Sequence, residues 1–96
     1  MALYTALVAV TGSSVAELNR GIAISRAYGP AAGLAVLDPL RDRPELRGYH
    51  LLPSARGDLL AQLGRADQAR EQFQRAAALT ANEAERAMLL RRSAEL

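Results

Sequence analysis

Gly64-Arg65-Ala66-Asp67-Gln68-Ala69-Arg70-Glu71-Gln72-Phe73-Gln74-Arg75-Ala76 is the stretch on which the fold turns. A glycine precedes a run of helix formers. Ala66, Ala69, Phe73 and Ala76 then recur at spacings of three, four and three, which puts all four side chains on one helix face. The alanines let a neighbouring helix approach closely, and the single aromatic fills the gap they leave. The polar residues between them face away. The expected structure is a helix over residues 64–80, packed closely along its Ala69–Phe73–Ala76 seam.

Outward from this seam the chain reads as helices throughout, with no convincing strand. Asn82 with Glu85 caps a last helix that runs to the C-terminus. On the other side a helix is expected from about Tyr49 to Leu63, with Pro53 tolerated only in its first turn. Arg41 to Gly48, interrupted by Pro44, reads as the one real loop, solvated by Asp38, Asp42 and Glu45. Gly29-Pro30 stops one helix and starts another, which Pro39 ends or kinks after Leu37. Ser14 and Glu17 form a capping box, so a helix is expected from Ser14 to Tyr28. Thr11-Gly12-Ser13 is expected to separate it from an apolar helix over Ala2 to Val10.

A weak internal repeat runs through these helices. Arg20-Gly21 recurs 36 residues later as Arg56-Gly57, with Val15/Leu51, Ala16/Leu52 and Ile24/Leu60 in matching places. Tyr4, Leu7, Val10 and Thr11 match Phe73, Ala76, Leu79 and Thr80 at a separation of 69, close to two periods of about 34 residues. The helix over residues 64–80 resembles the second helix of a tetratricopeptide (TPR) repeat, and Gly57 matches the close-contact glycine of the first. The fold class this implies is all-α: a TPR-like, right-handed solenoid of about six antiparallel helices, forming a single domain over residues 1–96. Pro53 and Arg56 stand where the TPR pattern has large apolar residues, and Ala81 where it usually has proline.

A narrower resemblance rests on the order of several short strings. These are Leu3-Tyr4, Leu18-Asn19-Arg20, Gly29-Pro30-Ala31-Ala32, Gly48-Tyr49-His50-Leu51-Leu52, Asp58-Leu59-Leu60, Leu63-Gly64-Arg65 and Ala84-Glu85-Arg86 after Asn82. In this order and spacing they resemble the C-terminal TPR-like extension of one group of bacterial extracytoplasmic-function (ECF) sigma factors. The resemblance implies a regulatory module of a transcription initiation factor, excised from the regions that bind RNA polymerase and read promoters. The implied partners are proteins, namely those sigma regions or RNA polymerase, and the implied compartment is the cytoplasm. A free-standing TPR adaptor or chaperone-like scaffold is the alternative. In a TPR solenoid the first helices line the concave surface. That makes Asn19, Ala23 and Arg26 on one helix, and Ser54, Asp58 and Gln62 on the next, the candidate protein-binding groove.

Composition narrows the chemistry. The chain has 96 residues, no cysteine, one histidine and a net charge of +2. All 12 basic residues are arginine, and they interleave with ten acidic ones rather than forming a run. Direct DNA binding by the domain is therefore not expected, despite the basic isoelectric point. The apolar start is too short to span a bilayer and lacks a basic leader, so no membrane role is expected. His50 alone, without cysteine, is a poor basis for a metal site. No serine has an acid and histidine at readable spacing, and Gly29 and Gly33 lack the strand and lysine of a phosphate loop. No enzyme activity, cofactor, metal or small-molecule substrate is expected. Arg70, Arg75, Arg86, Arg91 and Arg92 on the last two helices could meet phosphate or an acidic protein. A solvated face is the expectation, with Glu71–Arg75 and Glu83–Arg86 pairs along it. Arg20 and Arg56 could brace packing through Glu17, Asp58 or backbone carbonyls, or line the concave surface.

Overall fold

The computed structural model describes the backbone of residues 2–96 and the side chains of residues 14–96. It is all-α, with no strand among the described residues. Five helices follow in order: α1 (Ala2–Tyr28), α2 (Pro30–Leu37), α3 (Leu51–Gln62), α4 (Ala66–Leu79) and α5 (Glu83–Ala94). The expected break at Thr11-Gly12-Ser13 is corrected: α1 passes through it as one helix of 27 residues. A lone glycine costs a helix about 1 kcal/mol, which a long helix tolerates, and there is no proline to enforce a stop. The described chain thus has five α-helices where about six were expected. The 69-residue correspondence of Tyr4, Leu7, Val10 and Thr11 lies outside the described side chains.

The turns follow from local chemistry. Gly29 separates α1 from α2, and Pro30 occupies the first turn of α2, where its missing N–H is harmless. Pro53 sits likewise in the first turn of α3. That helix ends at Gly64, whose φ of 78° is cheap only for glycine. The Arg65 N–H then reaches the Leu60 carbonyl at 2.9 Å and the Gly64 N–H reaches Ala61 at 3.0 Å. These two bonds are the Schellman pattern that satisfies the last carbonyls of a helix. At the start of α5 the Asn82 side chain accepts the Glu85 N–H at 2.9 Å, the cap read from sequence.

The loop expected over Arg41 to Gly48 is more ordered than a solvated connection. Two short 3-10 turns, Asp38–Asp42 and Pro44–Leu46, bury Leu40 and Leu46 in the core. The acids do more than solvate. Asp38 binds the Nε of the buried Arg56 at 3.0 Å, and Glu45 accepts the Ser14 hydroxyl at 2.7 Å. The Ser14–Glu17 capping box is therefore corrected: Ser14 lies inside α1, fully buried, and bonds across the fold, while Glu17 pairs with Arg20 at 3.0 Å.

Packing joins α1 to α2 and α3 to α4 as antiparallel hairpins, with α5 against α4. The two hairpins share a contact. A Cβ on Gly21 would stand 2.5 Å from a Leu37 methyl, and a Cβ on Gly57 would stand 2.8 Å from the Phe73 ring. In both, a glycine on the first helix meets a large residue 16 positions on, and the two pairs are 36 residues apart. Phe73, Ala69 and Ala76 are buried, as the seam requires. A continuous core links Leu18, Leu34, Leu37, Leu59, Phe73 and Leu89 across all five helices.

The Ser14–Glu45 bond carries a pH signature. The hydroxyl, first, and a backbone N–H, next, hold the Glu45 carboxyl below its ordinary value of 4.5, with Arg43 assisting and desolvation opposing. A depressed folded-state pKa contributes stability that is complete above the ordinary value and lost as pH falls through the folded one. Thermal melts of the parent and Ser14→Ala should differ most at neutral pH. The gap should shrink once the pH drops below about 4.5. A gap that does not change with pH would exclude this bond as its source.

Candidate functional site

One face of α1 and one face of α3 converge on a cavity of about 310 Å³. From α1, Asn19, Ile22 and Arg26 follow at spacings of three and four, and from α3, Ser54, Asp58 and Gln62 follow at four and four. Each set is therefore a single helix stripe. Leu18 and Leu59, both buried core residues, form its floor. The helices can lie this way because α2 is packed behind them, joined to α1 through Gly21 and Gly33.

Five of the six groove residues expected from sequence line this one cavity: Asn19, Arg26, Ser54, Asp58 and Gln62. Ala23 is corrected. It is exposed but lies outside the lining, and Ile22 takes its place on the α1 stripe. The reason is angular: Asn19 to Arg26 spans two turns, and position 22 falls between them on the α3 side.

The groove is mixed in character. Asn19, Ser54 and Gln62 offer neutral donors and acceptors, suited to the backbone or amide groups of a bound segment. Ile22, Ala55, Leu59 and the half-exposed Leu51 supply an apolar strip. Arg26 makes no ion pair among the described residues. Asp58 is already partnered: Arg92 of α5 binds its carboxylate, and the same guanidinium stacks 4.5 Å above the Phe73 ring. Such stacking over an aromatic face is worth about 0.5–1 kcal/mol at partly exposed sites.

Sequence reasoning missed Arg92 here, because its partners lie 34 and 19 residues away on other helices. Asp58, backbone carbonyls and the concave surface were the places open to Arg56 from sequence, whereas its partner is Asp38. Arg86 holds the end of α4, donating to the carbonyls of Ala77 at 3.1 Å and Thr80 at 2.8 Å, with Glu83 at 3.8 Å. The helix carbonyls favour a cation there. His50 bonds Glu85 at 2.6 Å, joining the first turns of α3 and α5. Among the described residues no group of three His, Cys, Asp or Glu is placed to hold a metal. None of the described helices is long and apolar enough to cross a membrane.

Comparison with known proteins adds one relative. The chain is 47% identical over 87 residues, 91% of its length, to an uncharacterized protein of Rhizobium meliloti (strain 1021). It spans about a fifth of that protein's length. No protein-family model matches the chain, and no solved structure matches it.

Proposed function

We propose that this chain is a TPR-like, right-handed helical solenoid that works in the cytoplasm as a protein-interaction and regulatory domain, without chemistry of its own. The observation that carries the reading is the repeated contact, Gly21 on Leu37 and Gly57 on Phe73, which builds two equivalent hairpins around one groove. The third unit is begun by α5, tied to α3 through His50–Glu85 and Asp58–Arg92 at separations of 35 and 34 residues. Those separations match one TPR period.

The parent protein we propose is an ECF sigma factor, on the sequence resemblance described above. The relative of several times this length is consistent with a module carried by a longer chain. The domain biases initiation through contacts with the sigma regions or with RNA polymerase, and only the difference between its contacts with active and inactive states can do so. Coupling of about 1–3 kcal/mol changes output about 5–150-fold. A free-standing adaptor is the second reading, favoured by the same groove.

The test uses the full-length factor, intact, lacking residues equivalent to this chain, or carrying Asn19→Ala, Arg26→Ala and Gln62→Ala together. Promoter-dependent transcription and capture of RNA polymerase are measured for each. The triple variant should melt within about 0.5 kcal/mol of the parent, as surface changes do, yet lose capture and shift transcription as the deletion does. Equal transcription from the intact and deleted proteins would overturn the sigma-factor reading. Capture that survives the triple substitution would remove the groove as the contact surface.

A further inference from the structure

The second face of α3 borders a different cavity. It holds about 300 Å³ between the 3-10 turns, α3 and α4, and Arg41, Arg47, Arg56 and Arg75 all line it, with Glu71 and Gln72. It adjoins a second space of about 320 Å³ that shares Arg41, Arg56 and Glu71 and adds Asp38. The groove described above takes Ser54, Asp58 and Gln62 from α3, whereas this cavity takes Arg56 and its neighbours, so the two are distinct.

Two of the arginines here are held, and none has all its donors used. Asp38 fixes two of them, accepting Arg56 Nε on its carboxylate at 3.0 Å and Arg41 Nε on its carbonyl at 3.2 Å. The terminal nitrogens of Arg56 have no acceptor among the described residues, although the residue itself is buried. No described side-chain nitrogen is both buried and unpartnered, so these nitrogens open onto the cavity. Arg47 and Arg75 are exposed and form neither ion pair nor side-chain hydrogen bond among the described residues. Four guanidiniums against Glu71 and Asp38 leave an excess of two positive charges around one concavity. Guanidinium forks match the geometry of oxyanions.

We propose that this cavity is a binding site for a phosphate monoester dianion. Its charge at neutral pH, about −1.5 to −2, matches the excess in the cavity. A carboxylate or a nucleic-acid phosphodiester brings a single charge and leaves half of the excess uncompensated. The ligand is bound and not transformed: Glu71 and Asp38 are the only acids lining the two adjoining spaces, and no serine, threonine, cysteine or histidine lines them. The phosphate can be that of a small ester or of a phosphorylated side chain, and the cavity recognises what they share.

The whole chain is titrated with inorganic phosphate, acetate or chloride at constant ionic strength, with binding followed by calorimetry and by backbone amide shifts. Phosphate should saturate, with at least tenfold tighter binding than acetate, and its shifts should centre on residues 41–56 and 71–75. Arg47→Gln with Arg75→Gln should lose at least tenfold in phosphate affinity while melting in chloride no lower than the parent. Glycerol 3-phosphate and a phosphoserine tetrapeptide are then compared, and the tighter of the two identifies the source. The proposal is overturned if phosphate and acetate act alike, or if the double variant binds phosphate as the parent does. It is also overturned if a single-stranded oligonucleotide binds more tightly than glycerol 3-phosphate.

Discussion

Phe73→Ala should cost about 3–5 kcal/mol, in keeping with other buried aromatic truncations. Phe73 is 1% exposed, its ring rests on the bare Gly57 backbone, and the Arg92 guanidinium covers it at 4.5 Å. Removing the ring therefore opens a void at the centre of the α3–α4 hairpin and takes the aromatic face from Arg92. Small domains have only about 5–15 kcal/mol in total, and for this length each kcal/mol moves the melting point by about 4–8 °C. A loss of at least ~12 °C by circular dichroism is the expected result. A variant that melts with the parent would mean that α4 does not pack through this face.

Gly33→Ala is the second large effect, and its sign runs against helix propensity. In isolation alanine is favoured over glycine in a helix by about 1 kcal/mol. Here the added methyl would lie 2.5 Å from the Ser25 Cβ, 2.9 Å from the Gly21 carbonyl oxygen and 2.9 Å from a Leu59 methyl. A backbone oxygen cannot rotate away, so α2 must move off α1. Overpacking of this kind costs about 1–3 kcal/mol, which outweighs the propensity gain. Gly48→Ala is the control, since nothing lies within 4 Å of its new methyl and its φ is not in the left-handed region. Urea midpoints should fall for Gly33→Ala and hold or rise slightly for Gly48→Ala. A rise for both would show that helix propensity decides, not the α1–α2 contact. Because Gly33 touches both Gly21 on α1 and Leu59 on α3, its substitution should also alter the spacing of the groove walls.

What was legible in the sequence was local. The Ala69–Phe73–Ala76 stripe, the Pro30 start and the Asn82 cap each depend on residues within a turn or two, or on a helical period. Each is found as read, and Gly57 meets the seam as its likeness to a TPR first helix implied, but Gly64, expected to open the next helix, ends α3 instead and α4 begins at Ala66. Most of the groove stripe was reachable for the same reason, through spacing along α1 and α3, and the one residue misplaced, Ala23, missed by about 100° of helix rotation. What failed was non-local. Ser14 has a ready partner three residues on in Glu17, but burial places it against Glu45, 31 residues away. Arg56 has Asp58 as its nearest acid, yet the two are only two positions apart on a helix and face different ways, which leaves Asp38 as its partner. Of the arginine cavity only Arg75 was singled out in the sequence as an arginine that could meet phosphate, because the other arginines come from the 3-10 turns and a different helix in no recurring order.

The Arg92–Asp58 pair makes the electrical state of the groove depend on a helix that does not line it. While the final turns of α5 are docked, the Asp58 carboxylate is neutralised, and the groove carries the charge of Arg26 alone among its described side chains. Fraying of those turns withdraws the guanidinium and exposes a carboxylate across from Arg26, turning a cationic trough into a dipolar one. An incoming acidic segment therefore favours the docked helix. A basic segment competes with Arg92 for the same two oxygens, and reciprocity requires it to weaken the hold of the helix as much as the helix weakens its own. Amide exchange in the last turns of α5 is thus a remote gauge of what occupies the groove: slower exchange for an acidic occupant, faster for a basic one.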